Sequence, residues 1–416
     1  MRFGYFGWQK LDSRQPPKPT NSFVGSNVRN HKSNPCVIAT KFFYICQANM
    51  IPDCNNRKKD STMHLFSKYR FLILGTWVVL SLALLNGAKA QALSLKHSTS
   101  GYHLIKKIQL GGEGGWDYLF VDSDARRLYV SRSTHVVVLD ADSGNVVGEI
   151  PNTNGVHGVA IAPEFGRGFT SNGRDSSVTI FDAKTLRIIG QVKVQANPDA
   201  IIYDTATNRV FAFNRGSSSV SAINAADGKI DGTIDLGGHP EFAASDANGM
   251  VYVNLDNKSE TVALDSRKLE VKARWPLVPG EDPSGMSIDR EHRKLFIGCG
   301  NKKMIVLNAD DGRVSSVLPI GGGVDATGFD PGTQLAFSSN GEGTLTVVER
   351  VTPDSCAILE EVQTQRGART LGLDTKTHNV FLATAEFGPP PPATPERPRP
   401  RPSMIPGSFV ILVFGR

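Results

Sequence analysis

The chain has 416 residues, 40% of them apolar, enough for a large buried core, which excludes a wholly disordered protein. Its formal charge of +6 sits at one end: residues 1–90 hold 13 Lys and Arg against 3 Asp and Glu, leaving 33 basic and 37 acidic residues in 91–416. That larger part, at −4, lacks the basic surplus that a nucleic-acid or anionic-lipid binder needs.

Residues 1–62 carry no repeat and no apolar periodicity, and read as a disordered or mis-assigned extension. Met63 then opens a secretory signal over 63–90. Lys68 and Arg70 form the positive region, Phe71 to Leu85 the apolar run, and Ala88-Lys89-Ala90 the small-x-small cleavage site. The apolar run is shorter than the roughly 20 residues of a membrane span. The mature chain, 91–416, is thus expected in the periplasm or outside the cell, monomeric and without a transmembrane span. Cys36, Cys46 and Cys54 precede the cleavage site. Cys299 and Cys356 follow it; two buried thiols are the expected state, a disulfide the alternative.

From Tyr102 onward one pattern recurs. Tyr129, Phe169, Phe211, Tyr252, Phe296, Phe337 and Phe381 recur at intervals of 40, 42, 41, 44, 41 and 44 residues. Each lies on an apolar run bounded by Gly, Asn and Asp turns, which is the pattern of a β-propeller. The expected fold is all-β: a seven-bladed β-propeller of four-stranded antiparallel blades. The opening strand "YHLIKKIQL" has no unit of its own, and the last unit lacks a fourth strand. The two are expected to pair and close the ring, leaving no open sheet edge.

Upstream of each aromatic a second register ends on Asp122, Ala162, Asp204, Asp246, Asp289, Asp330 and Asp374. Asp there accepts backbone N–H groups of the following turn, so these carboxylates read as structural. The last unit carries an insertion, 388–407, in which nine of twenty residues are Pro, alongside Arg397, Arg399 and Arg401. It reads as an extended loop, with a docking arm as the alternative.

The inner-strand segments begin with Asp117, His157, Asp199, Glu241, Ser284, Asp325 and Arg369. Ring symmetry would gather these seven around one mouth of the central channel, where a small molecule or partner protein could bind. Among them Asp117, Asp199, Glu241 and Asp325 are candidate ligands for a divalent cation. Trp116, His239, Arg132, Arg174 and Arg215 are placed on the rim, as are Lys258, Lys302 and Lys303, because the turn after the second strand returns to the same face. The alternative is a solvated polar mouth without a ligand.

No Gly-x-Ser-x-Gly elbow, P-loop or dinucleotide fingerprint is present. The "GGEGG" run at 111–115 is glycine-rich, but no helix is expected after it to hold a phosphate. No Cys-x-x-Cys supports zinc or haem.

The repeats "LYVSRSTHVVVLDADSGNVVGEI", "VFAFNRGSSSVSAINAADGKIDGTI", "VYVNLDNKSETVALDSRKLEVKAR" and "LFIGCGNKKMIVLNADDGRVSSVLPI" resemble the YncE-like, YVTN-repeat family of exported seven-bladed propellers. The likeness covers roughly 101–416. It implies a binding or surface protein. One family member is reported to look like a DNA binder, which the −4 charge of 91–416 speaks against here. The expected function is a non-catalytic ligand- or protein-binding module. The alternative is a metal-dependent hydrolase or lactonase using channel carboxylates.

Overall fold

A computed structural model describes residues 99–394, 397, 398, 400 and 402–416. The stretch 1–62, the expected export signal at 63–90, Cys36, Cys46 and Cys54, and Arg399 and Arg401 of the arm lie outside the described residues. No helix among the described residues is long and apolar enough to cross a membrane.

Twenty-eight strands form seven four-stranded antiparallel sheets. In blade 1 these are Leu119–Asp122, Arg127–Arg132, His135–Asp140 and Val146–Ile150, running from the innermost strand outwards. Blades 2 to 6 repeat this order from inner strands Val156–Ala162, Pro198–Asp204, Pro240–Ser245, Pro283–Asp289 and Val324–Asp330. Blade 7 has three strands from the C-terminal segment, and its outermost strand is His103–Gln109. That strand pairs antiparallel with Val410–Gly415, from His103 opposite Gly415 to Gln109 opposite Val410. The ring is closed as the unpaired ends of the sequence required.

The two middle strands of each blade are the most deeply buried, and their β-branched and aromatic side chains fill the space between blades. All seven repeat aromatics are at most 3% exposed. Tyr129 of blade 1, for example, lies 6.1 Å from Phe181 of blade 2, with Val136, Val138 and Ile161 around them. Each such ring contributes on the order of 2–3 kcal/mol by leaving water. No blade could bury its aromatic without a neighbour, so closure and core are one event.

Two features below the level of the repeat recur around the ring. In every outermost strand one residue is skipped by the ladder: Val147, Ile189, Asp231, Lys272, Ser315, Leu359 and Ile105. These bulges twist the exposed edge and spoil it as a template for edge-to-edge pairing. At the turn between first and second strands, the repeat aspartates accept backbone N–H groups, as at Asp122, Asp246, Asp289, Asp330 and Asp374. Several also reach the next blade. Asp374 binds Arg126 at 2.7 Å, Asp246 binds Arg293 at 2.9 Å and Asp330 meets His378 at 2.8 Å.

Cys299 is buried and Cys356 half-buried, both as free thiols. The insertion leaves the second strand of blade 7. Phe387 pairs with Met404 across its base, and Pro389–Pro392 are exposed without strand pairing.

Candidate functional site: the channel mouth

The innermost strands of blades 2 to 5 do not pair evenly. Val156 pairs with Asn172 and Val159 with Thr170, so His157 and Gly158 together face one residue. The same shift occurs at Asp199, Glu241 and Ser284, and a one-residue version occurs at Asp325. A bulge re-aims the side chains it carries. In blades 1 and 7 the inner strands are shorter, and Asp117 and Arg369 lie two residues before them. Hydroxyls from the second strands hold these segments. Ser131 accepts from the Asp117 N–H at 3.2 Å, Ser171 accepts from Gly158 N–H at 3.0 Å and donates to the Asp199 carbonyl, and Ser339 donates to the Arg369 carbonyl at 2.6 Å.

The side chains form two connected groups. His157 Nδ1 lies 2.5 Å from Asp117 Oδ2 and 3.5 Å from Asp199 Oδ1. Arg369 bridges Asp325 at 3.1 Å and Asp117 at 3.8 Å. Beside them Arg215 joins Glu241 to Asp256, the latter at 2.6 Å. His239, about half exposed, stands 3.7 Å from Asp256. Ser284 donates to the Asp325 carbonyl at 3.1 Å. Five carboxylates thus share two guanidiniums and two imidazoles.

Burial dominates the electrostatics. It lifts Asp199 above the usual carboxylate range, helped by the nearby Asp117 charge and opposed by His157. It lifts Glu241 well above that range, with Asp199 adding to the effect and Arg215 opposing it. Asp325 is pushed up to about 6 by burial, against the pull of Arg369. Burial alone would strip His157 of its proton, but Asp199 and Asp117 overcome it and raise the imidazole to about 9. At neutral pH His157 is therefore a cation between two carboxylates.

Below the charged ring two aromatic side chains meet. The Tyr118 and Phe242 rings, from opposite sides, have centroids 4.4 Å apart. A cavity of about 130 Å³ remains beside them, lined by apolar groups including Val159, Ala200 and Ile201. Burial raises the Tyr118 phenol well above its ordinary value, and the nearby Asp199 charge adds to the effect. The mouth is a charged cup with an apolar floor.

No family model matches the chain, and no curated protein matches it. Solved structures do. The RRP9 WD40 repeats superpose with a TM-score of 0.62 at 10% identity, covering 76% of this chain and 98% of that one. A chain of the mitotic checkpoint complex gives 0.62 at 12% identity, covering 77% and 94%. Hydrazine synthase of Kuenenia stuttgartiensis gives 0.56 at 14% identity, covering 70% and 95%. The likeness is one of fold. At these identities it establishes the seven-bladed propeller with WD40-like neighbours and nothing about the mouth.

Two of the rim residues, Trp116 and Arg132, lie elsewhere. Trp116 turns away from the channel and packs on Phe409 and Phe387, 5.1 and 6.1 Å away, because an indole gains more from the seam between blades 7 and 1 than from a charged mouth. Arg132 is 3% exposed and is used inside that same seam. Arg174 is exposed and forms no ion pair with the cluster among the described residues. Of the lysines, Lys258 is exposed and Lys302 pairs with Glu342 at 3.0 Å. Of the four candidate cation ligands, Glu241 pairs with Arg215 and Asp325 with Arg369, while Asp117 and Asp199 form with His157 a compact group of potential ligand atoms. Asp256 and Tyr118 went unnoticed in the sequence. The first follows the second strand of blade 4 at the position that Arg215 holds in blade 3, and the second reads as an ordinary strand aromatic.

Proposed function

We propose that this protein is an exported, non-catalytic binding module of the YVTN-repeat type, taking a small mixed-charge ligand or partner side chain at the channel mouth. The observation that carries this reading is the crowding of Asp117, Asp199, Glu241, Asp256 and Asp325 with only two guanidiniums beside the Tyr118–Phe242 ring pair. A fold needs no such arrangement. Arg369 is the accessible cation, its side chain 44% exposed, and Asp117 beside it is 25% exposed. A ligand with both signs of charge exchanges with these two groups without leaving a charge unpaired. Export is supported by the signal pattern at 63–90, and N-terminal sequencing of the secreted protein tests it.

The binding test is a thermal-shift screen of small polar metabolites against wild type and Arg369→Ala. Hits that raise the wild-type Tm and lose their effect in the variant support the reading. Hits insensitive to Arg369→Ala, or a screen without hits, count against it.

One observation favours a second reading, a metal-dependent hydrolase. Ligand atoms of Asp117, His157 and Asp199 lie within 4.8 Å of one another. These residues suit a divalent cation by type, provided that His157 gives up its proton. They would hold the ion, which would supply Lewis-acid polarisation of a bound oxygen. Retention of stoichiometric metal through dialysis, lost in Asp199→Asn, separates this reading from the first.

A further inference from the structure

Arg132 is the last residue of the second strand of blade 1. The corresponding residue is Asn172 in blade 2, Asn214 in blade 3 and Asn340 in blade 6. Each of those asparagines is buried and neutral, and its amide donates to Ser or Thr hydroxyls of the third strand. Asn172 reaches Thr179 at 2.8 Å, Asn214 reaches Ser221 at 3.0 Å and Asn340 reaches Thr346 at 2.9 Å. The propeller therefore does not need a charge at this position.

The Arg132 guanidinium is 3% exposed, and no carboxylate pairs with it among the described residues. In this it differs from Arg126, Arg215, Arg293 and Arg369, each held by acids. Its Nη1 donates to the Gly111 carbonyl at 3.1 Å and its Nη2 to Glu113 at 2.9 Å and Gly114 at 3.2 Å. The guanidinium also lies 4.0 Å from the centre of the Phe409 ring. These contacts clasp the glycine-rich loop to the seam. They leave Nε buried without a partner and the charge without a counter-ion, and burial accordingly pulls the guanidinium pKa down. A buried, uncompensated cation is expensive to keep.

Arg132 also lines a cavity of about 150 Å³ between blades 7 and 1. Gly111 and Gly112, both at positive φ, form one wall, and His135 and Val137 another. Glu113 and Glu149, both exposed, stand at its edge. We propose that this interblade cavity is a second binding site, for a small molecule bearing a carboxylate and a cationic group. The carboxylate completes Arg132. The two glutamates discourage a simple anion and receive the positive end, so a short amino acid fits better than acetate or phosphate. The site is separate from the channel mouth and does not depend on what binds there.

The test titrates the full-length protein with glycine, β-alanine and 4-aminobutyrate, with acetate and methylamine as single-charge controls. Binding is read by calorimetry and by the imidazole NMR signal of His135. At least one amino acid should saturate and move the His135 signal, with affinity about tenfold or more above acetate, a gap of about 1.4 kcal/mol. Glu149→Gln should erase that preference, and Arg132→Lys should weaken every carboxylate. Because Arg132→Lys also loosens the seam, the wild-type titration and Glu149→Gln decide the matter. No saturation at about 10 mM, an unmoved His135 signal, or affinities unchanged in Glu149→Gln would overturn the proposal.

Discussion

The two ends of the inner strands treat the same residue type in opposite ways. At the mouth, Asp325 is pushed up to about 6 and Asp199 is raised. At the other end, the Asp374 side chain has no exposed surface, yet it is held below the ordinary carboxylate range. Burial raises both. What sets Asp374 apart is its donors: it receives the Thr377 hydroxyl at 2.6 Å, Arg126 at 2.7 Å and the Lys376 N–H at 3.1 Å. The mouth carboxylates face one another and share too few donors. A carboxylate surrounded by donors builds a turn, and one left facing other carboxylates is available to a ligand.

The largest test of this contrast removes a shared donor. Arg215→Ala leaves Glu241 and Asp256 in a largely buried site without a cation, and should lower stability by about 3 kcal/mol at pH 7. The deficit should shrink under mildly acidic conditions, where Glu241, already raised, takes up a proton. Urea unfolding at two pH values measures both effects. An equal deficit at each pH would mean that Glu241 is not under electrostatic strain.

His157 gives the next largest effect, and its sign is fixed. Its folded pKa of about 9 exceeds the ordinary 6.5, so its stabilisation is fully present below about 6.5 and lost as pH rises through 9. This is on the order of 3 kcal/mol. His157→Gln should flatten the stability profile across that window. A wild-type profile without a fall there contradicts the assignment of His157 as a cation.

Asp374→Asn and Asp325→Asn together sharpen the comparison. Asp374 is depressed, so its contribution is present above the ordinary carboxylate pKa and lost as pH falls below it. Its removal should cost about 2 kcal/mol at pH 7, through the lost charge-assisted bond to Arg126. Asp325 is raised, so stability falls as pH climbs from about 3.8 to 6, and the asparagine should remove that fall. Opposite pH dependences for two buried aspartates in one ring are the expected result.

The ring was legible because a propeller repeats its physics seven times: each blade restates its aromatic, its turn aspartate and its strand spacing. Closure was legible because Tyr102 onward and Phe409 onward each lacked a partner. The mouth positions followed from symmetry, since Asp117, His157 and Arg369 occupy equivalent places. What symmetry could not reveal is where one blade departs from the rest. Trp116 and Arg132 look like rim residues by position, yet they belong to the seam, where the N-terminal loop and the arm's base create a packing environment that no other blade has. Arg215 pairing with Asp256 joins two successive blades through their post-strand turns, and neither turn announces the other. The seven bulges are likewise silent in the sequence, since each skipped residue is simply the second or third of an apolar or polar run.

The smallest effect concerns the bonds between blades at the end opposite the mouth. Arg127 donates to the carbonyls of Ala183 and Lys184 in blade 2, and Arg209 donates to that of Ser266 in blade 4. Both occupy the first position of a second strand, and both tie a partly exposed guanidinium to neutral carbonyls of the next blade, Arg209 also pairing with the partly exposed Asp231 at 2.7 Å. Replacing either by Ala should cost about 1 kcal/mol, the net worth of such a bond. The two share no partner, so the double variant should lose the sum to within about 0.5 kcal/mol if blades separate independently. Calorimetric and urea midpoints of the four proteins measure this. A loss well beyond the sum would mean that the ring opens at any one weakened joint, making the strand pairing at the seam, rather than the turn carboxylates, what sets its stability.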